Sequence, residues 1–322
     1  LTEPILKTEA KSDDDHIVYD LTNSSHTSNL FPKKVWKTHY QNALDELDKA
    51  EQLSTLQPFQ GEYNLRKEIS RYLERIRGVK CHPDQIITTS GLQQSLDYIC
   101  QFLGNAKRSV LMEDPSYPKA REIFKKNAYP IVTVEVDEKG LDLTKVDRNS
   151  EIEMIYTTPS HQFPLGMIMP ISRRRELLSF AEAHNSFILE DDYDSELRYY
   201  QRPIPALKSI DYLGRVIYLG TFSKILSPSF RMGYMVLPEQ FTESFLEKFK
   251  IYNSTVNLLN QIALANILSS GDYDRLVRKM NHVFKKRYEA FKKEFEQFNA
   301  PIKLSSNVSG QYFLVTFPDK IN

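Results

Sequence analysis

Lys224 closes the run VIYLGTFSK. If that run is a strand of a parallel sheet, the amine projects at the strand's carboxyl end, where such sheets present ligands. An amine there becomes a nucleophile towards a carbonyl when desolvation or a nearby cation lowers its pKa. On its own, a lysine after a strand reads as a solvated surface residue. Its neighbours add to the reading: Thr221 and Ser223 flank it with hydroxyls, and Arg231 follows beyond a tight turn at Ser227 and Pro228. Hydroxyls and a guanidinium around one lysine suit a phosphate, because arginine offers a planar fork of donors to an oxyanion.

Three further segments could complete a site. ITTSGLQQSLDYI has the form strand, Ser90-Gly91 turn, helix. Such an N-terminus presents free amides, here those of Leu92 and Gln93, together with the positive end of the helix dipole, and Gly91 permits close approach of an anion. The same strand-turn-helix unit also occurs with no ligand at all. The acidic cluster EDDYDSE follows the apolar run SFIL, which puts Asp191 at a strand end and Tyr193 two residues on. A carboxylate can hold a pyridine nitrogen protonated, and a phenol can hydrogen-bond a phenolate oxygen. Acidic clusters of this kind also serve as metal ligands or solvated turns, but no HExxH pattern and no His/Cys cluster accompanies this one. Tyr117, in EDPSYP, offers an aromatic face to a flat heterocycle, or a plain core ring.

The elements that must position these residues alternate along the chain. Short β-rich runs (QIITTS, SVLMED, PIVTVEV, EMIYTTPS, SFILEDD, RVIYLGTFS, MGYMVLP) are separated by amphipathic stretches such as LQQSLDYICQFL, YPKAREIFKKN and SRRRELLSFAEAHN. That alternation predicts an α/β fold, a mostly parallel sheet with helices on both faces. A helix is predicted after Pro32, and Leu65, Ile69, Leu73 and Ile76 predict another from Gly61 to about Arg77. After Pro238 helices take over. One long amphipathic helix is expected over 274–298, its apolar face carried by Leu276, Met280, Val283, Phe284, Tyr288, Phe291 and Phe295, and GQYFLVTF reads as a final strand. The expected division is a linker over 1–20, a large unit over 21–238 and a smaller α+β unit over 239–322 that looks incomplete. The start, without Met and rich in charge, reads as the end of a linker from an upstream domain.

Composition narrows the function. Lys plus Arg and Asp plus Glu both total 42, so net charge favours neither nucleic acid nor a membrane surface, and any DNA binding must lie outside this segment. Cys81 and Cys100 are the only cysteines and form no metal spacing or disulfide framework, which suits a reducing cytoplasm. No apolar run approaches membrane length, and the start lacks the apolar core of a signal peptide.

Taken in order, the segments resemble the fold-type I enzymes that use pyridoxal 5′-phosphate (PLP), related to aspartate aminotransferase. The resemblance implies that SGLQQ cradles the cofactor phosphate through Gly91, Leu92 and Gln93. It implies that Tyr117 stacks on the ring, Asp191 pairs with the pyridine nitrogen and Tyr193 with the phenolate. Thr221, Ser223 and Arg231 would be the remaining phosphate ligands, and Lys224 the Schiff-base lysine. NLFPKKVW, TTPSHQFPLGMIMPISRRRELL, LEDDYDSELRY, GTFSKILSPSFRMGYMVLP and SGDYDRLVRKMNHVFKKR are similar to the C-terminal domain of MocR/GabR-type (GntR family) transcription regulators, in which a winged helix-turn-helix precedes an aminotransferase-like domain.

Some features depart from working aminotransferases. Phe163 stands where many have an Asn that hydrogen-bonds the cofactor, Leu92 replaces a Ser or Thr of the phosphate turn, and the sequence stops before the region of their substrate-carboxylate arginine. The resemblance therefore implies a sensor: an amino compound displaces Lys224 by transaldimination and shifts the small unit against the large one. A homodimer is implied as well. Lys119, His161 and Phe163 are the candidate effector contacts. A freestanding amino-acid aminotransferase and a dimerisation module with an empty pocket are the competing expectations.

Overall fold

The computed structural model describes residues 30–50, 56–104, 107–147, 149–198, 200, 204–297, 302–304, 309–312 and 314–318, so the expected linker over 1–20 lies outside the described residues. Helices α1 (Lys33–Ala50) and α2 (Tyr63–Arg77) precede β1 (Ile86–Thr89) and α3 (Leu92–Leu103). β2 (Ser109–Asp114), α4 (Pro118–Lys126), β3 (Ile131–Asp137), the two-residue β4 (Gly140–Leu141), β5 (Ile152–Thr157) and α5 (Ile171–Ala183) follow. β6 (Phe187–Asp192), β7 (Val216–Thr221) and β8 (Gly233–Val236) complete the large sheet. Beyond it come α6 (Glu239–Phe249), α7 (Leu258–Ser269), α8 (Asp272–Gln297), β9 (Lys303–Leu304) and β10 (Val315–Thr316).

All seven β-rich runs become strands of one sheet in the order β1-β8-β7-β6-β5-β2-β3-β4. Its middle, β7-β6-β5-β2-β3, is parallel, while β8 lies antiparallel between β7 and β1. The antiparallel return of β4 onto β3 was not anticipated, since two residues carry too little pattern to read.

Period-two alternation sends successive side chains to opposite faces. Val110, Met112, Met154, Leu189, Ile217 and Met235 pack with α3, α4 and α6. On the other face, Leu111, Ile155, Ile188 and Val216 pack with α5, whereas Ile86, Tyr218, Tyr234 and Val236 pack with α2, α7 and α8. Helices from both sides of Pro238 thus close the same sheet.

Two expectations need correction. Leu276, Met280 and Tyr288 of the long helix are buried, but Phe291 stays 39% exposed, because the core cluster that Tyr273 and Phe284 join ends before the last turns of α8. Of the described residues of GQYFLVTF only Val315 and Thr316 form a strand, paired with β9, while Gln311 and Tyr312 are engaged at the candidate site instead.

At the end of β6 the alternation separates two adjacent acids. Asp192 turns towards α2, where Arg77 donates to it from Nε at 2.8 Å, Ser195 donates at 2.8 Å and the Tyr218 hydroxyl also donates. Arg77 further donates to the Ser160 hydroxyl (2.6 Å) and the Ile204 carbonyl (3.0 Å). Both charges are buried, so removing one partner leaves the other uncompensated. Arg77→Ala is expected to destabilise the fold by about 3–5 kcal/mol, measured by denaturant unfolding; a loss below about 1 kcal/mol would place the pair in solvent.

Candidate active site

A cleft of about 200 Å³ opens at the carboxyl ends of the parallel strands, and every expected cofactor-binding residue lines it. The turn after β7 explains how Lys224 reaches it. Phe222, Ile225 and Leu226, spaced i, i+3, i+4, are buried in the core, and the Ile225 and Leu226 amides both donate to the Phe222 carbonyl. One helical turn is thereby pinned on its apolar side, and Ser223 and Lys224 lie on the side that faces the cleft. Thr221 caps the turn, its hydroxyl accepting from the Ser223 amide at 3.1 Å. Lys224 Nζ lies 5.9 Å from the centre of the Tyr193 ring.

Arg231 closes the next turn. Phe230 is wedged between Phe31 (5.2 Å) and Trp36 (4.3 Å), and Arg231 then takes a left-handed conformation, φ +47°. Its guanidinium lies against Gly91: a Cβ built there would sit 3.2 Å from Arg231 Nη2, and Gly91 has φ +112°. Gly91 caps α3, so Leu92 and Gln93 are the helix's first two residues, whose amides have no partner within the helix. Guanidinium, hydroxyls and free amides converge as a phosphate site requires.

Across the cleft, Asp191 is buried and accepts a hydrogen bond from the Tyr156 hydroxyl at 2.5 Å. Burial is the largest influence on its carboxyl and, with the charges of Asp192, Asp194 and Glu113, pushes the pKa up to about 7 against the Tyr156 bond, which lowers it. A cation would hold it ionised. Tyr117 meets Phe163 edge to face at 5.6 Å, and both rings line the cleft with Lys119, which is exposed at the rim.

His161 does not line the cleft. It is buried behind Tyr193, its Nδ1 lying 2.7 Å from Asp194 Oδ2 and 3.1 Å from the Tyr193 hydroxyl. Its place among the effector contacts is therefore not supported: Tyr193 stands in front of it.

Four contributors were missed by sequence reasoning. Thr158 lines the cleft, and its hydroxyl donates to Glu113 (3.1 Å) and accepts from the Phe163 amide (3.0 Å). Glu113, buried, also accepts from Thr157 and Gln162 and so fixes the loop that carries Phe163. Gly220 floors the cleft, where a Cβ would strike the Tyr234 ring at 2.3 Å. Tyr156 carried the readable signal, since a tyrosine inside the apolar run EMIYT needs a partner for its hydroxyl.

This sheet order, with a lysine after one strand and an aspartate at the end of its neighbour, defines a fold-type I PLP protein. The chain belongs to the aminotransferase class I and II family, which it matches over residues 21–320. PLP is the cofactor of that family, and the donor set in the cleft fits it. The HTH-type transcriptional regulator YdeL of Bacillus subtilis is 39% identical over 81% of this chain and 55% of its own length. The probable rhizopine catabolism regulatory protein MocR of Rhizobium meliloti is 37% identical over 70% of this chain and 46% of its own. Among solved structures, kynurenine aminotransferase of Pyrococcus horikoshii, in a complex with PMP, superposes with a TM-score of 0.83 at 27% identity, covering 94% of this chain and 76% of that one. The chain thus spans about half the length of these regulators.

The raised Asp191 carboxyl has a consequence for the cofactor-free chain. Unfolded, the group ionises near its ordinary value of 3.8; folded, it holds its proton to about 7. Its contribution therefore favours the folded state at low pH and is lost as pH rises between those values. Asp191→Asn is expected to stabilise the cofactor-free chain more at pH 8 than at pH 5, measured by denaturation midpoints, while weakening PLP binding; equal effects at both pH values would contradict the assignment.

Proposed function

We propose that this chain is the PLP-binding, effector-sensing and dimerisation domain of a MocR/GabR-type transcription regulator. The reading is carried by the likeness to HTH-type regulators over most of the chain, joined to a cleft that keeps Lys224, Asp191 and Arg231 together. About half of each such regulator lies outside the match, room for a winged helix-turn-helix that would supply the contact with DNA.

Bound in the cleft, PLP supplies an aldehyde that condenses with primary amines. Lys224 is the amine that holds it. Asp191 keeps the ring nitrogen protonated, and Tyr193 donates to the ring oxygen. Arg231, Thr221, Ser223 and the amides of Leu92 and Gln93 hold the phosphate, while Tyr117 packs on the ring. Phe163 offers no hydrogen bond where a donor would tune the ring oxygen, and shapes the ligand's space instead. Lys119, the charged lining residue left once Asp191, Lys224 and Arg231 serve the cofactor, meets the acidic end of an amino-compound effector.

Effector binding then shifts the smaller unit, carried by the end of α8 and the β9–β10 pair, against the large one, on whose sheet α6 and α7 pack. The working state is a cytoplasmic homodimer. No helix among the described residues is long and apolar enough to cross a membrane.

The test is a spectral titration of PLP-loaded protein with a panel of amino compounds, followed by a search for keto product. Saturable spectral change without sustained product is expected. Turnover at ordinary enzyme rates, on the order of 1 s⁻¹ or more, would favour a freestanding amino-acid aminotransferase. Colourless protein with no thermal stabilisation by PLP would leave only a dimerisation module.

A further inference from the structure

Residues 309–312 contact the groups that support the candidate site. Ser309 pairs with Arg198 in an isolated antiparallel bridge, and the Gly310 amide donates to the Leu197 carbonyl at 3.0 Å. Gly310 is thereby set so close to the site's support that a Cβ would lie 2.6 Å from His161 Cε1 and 2.9 Å from Asp194 Oδ2. Gln311 then donates from Nε2 to the backbone carbonyl of Lys224 at 3.0 Å, and the Tyr312 hydroxyl lies 2.9 Å from that of Tyr193. The Tyr312 ring stacks on His161 at 5.4 Å and meets Phe163 edge-on at 5.7 Å.

We propose that Tyr312 is a positioning residue for Tyr193, and that 309–312 is the segment through which the state of Lys224 is read out. This rests on the sensor reading above and names the route by which the smaller unit learns what the pocket holds.

The hydrogens support it. Asp194 Oδ2 lies 2.7 Å from His161 Nδ1, and with the carboxylate oxygen accepting, the hydrogen on Nδ1 is committed to Asp194. That nitrogen cannot then take the Tyr193 proton. Burial holds the pKa values of both Tyr193 and Tyr312 above the ordinary tyrosine range, so both remain phenols. Either hydroxyl of the Tyr193–Tyr312 pair can donate; in the arrangement proposed for the loaded pocket Tyr312 donates to the Tyr193 oxygen, and the hydrogen of Tyr193 is free to turn into the cleft. A hydroxyl that accepts one hydrogen bond becomes a stronger donor of the next, so Tyr312 both aims Tyr193 and strengthens it. The coupling is reciprocal: a change in what Tyr193 or Lys224 holds alters how firmly 309–312 is held. Gln311 adds a second grip, on the carbonyl of the lysine itself.

The test uses the whole chain loaded with PLP, as wild type, Tyr312→Phe, Gly310→Ala, Tyr193→Phe and the Tyr193→Phe/Tyr312→Phe double variant. Wild type without a visible cofactor band would overturn the sensor reading and this proposal with it. With that band present, Tyr312→Phe keeps the ring stacked on His161 yet is expected to change the ratio of the protonated and unprotonated cofactor bands at fixed pH by about twofold or more, the lower end of coupling between contacting residues. Gly310→Ala, which pushes the segment off His161, is expected to change it in the same direction, and carries the test if Tyr312→Phe does not fold. In the Tyr193→Phe background, Tyr312→Phe should add nothing. Methoxyamine, which displaces a lysine from PLP, should speed backbone amide exchange over 309–312 in the wild type. An unchanged band ratio, additive effects in the double variant, or exchange unaltered by methoxyamine would each overturn the proposal while leaving the sensor reading in place.

Discussion

Two neighbouring carboxylates at the end of β6 face opposite sides of one sheet, and the site depends on that separation. Asp192 is neutralised in the structure itself by Arg77, and the Ser195 and Tyr218 hydroxyls donate to the same carboxylate oxygen, Oδ2. Asp191, one residue earlier, accepts from the Tyr156 phenol and forms no ion pair among the described residues, and its carboxyl is pushed up to about 7 by burial. One acid anchors the strand end to α2, while the other is left to meet a positive charge brought into the cleft. A protonated pyridine nitrogen is such a charge, which is why the cofactor and the fold suit each other.

The rest of the cleft follows from where strands and turns end. Parallel strands bring their carboxyl ends to one edge, and three loops there are pinned on their far sides, two by apolar contacts and one by hydrogen bonds to a buried carboxylate. Phe222, Ile225 and Leu226 orient Lys224; Phe230 between Phe31 and Trp36 orients Arg231; Glu113 holds the loop that carries Phe163. Polar groups meet in the cleft because apolar ones are committed elsewhere.

Much of this was legible in the sequence. The alternation of β-rich runs and amphipathic stretches set out the sheet, since period two and period 3.6 differ over even six residues. The places of Lys224 and Asp191 in the cleft could be anticipated from the apolar runs before them, and that of Arg231 from the tight turn beyond Lys224. The hidden parts depend on contacts between distant segments. Nothing local in PSHQF shows that His161 supports Tyr193 rather than facing a ligand, and nothing in SGQYF shows that Gln311 and Tyr312 leave the strand pattern to meet residues more than eighty positions earlier. The exposed end of α8 was missed for a related reason: amphipathic spacing reveals a face, not whether anything covers it.

The proposed function turns on one covalent link, between the amine of Lys224 and the cofactor. Borohydride reduction of the PLP-loaded chain followed by peptide mapping tests it directly. The reduced phosphopyridoxyl group is expected on the peptide containing Lys224, with none found in a Lys224→Ala variant. A cofactor that washes away after reduction, or a label on any other lysine, would contradict it.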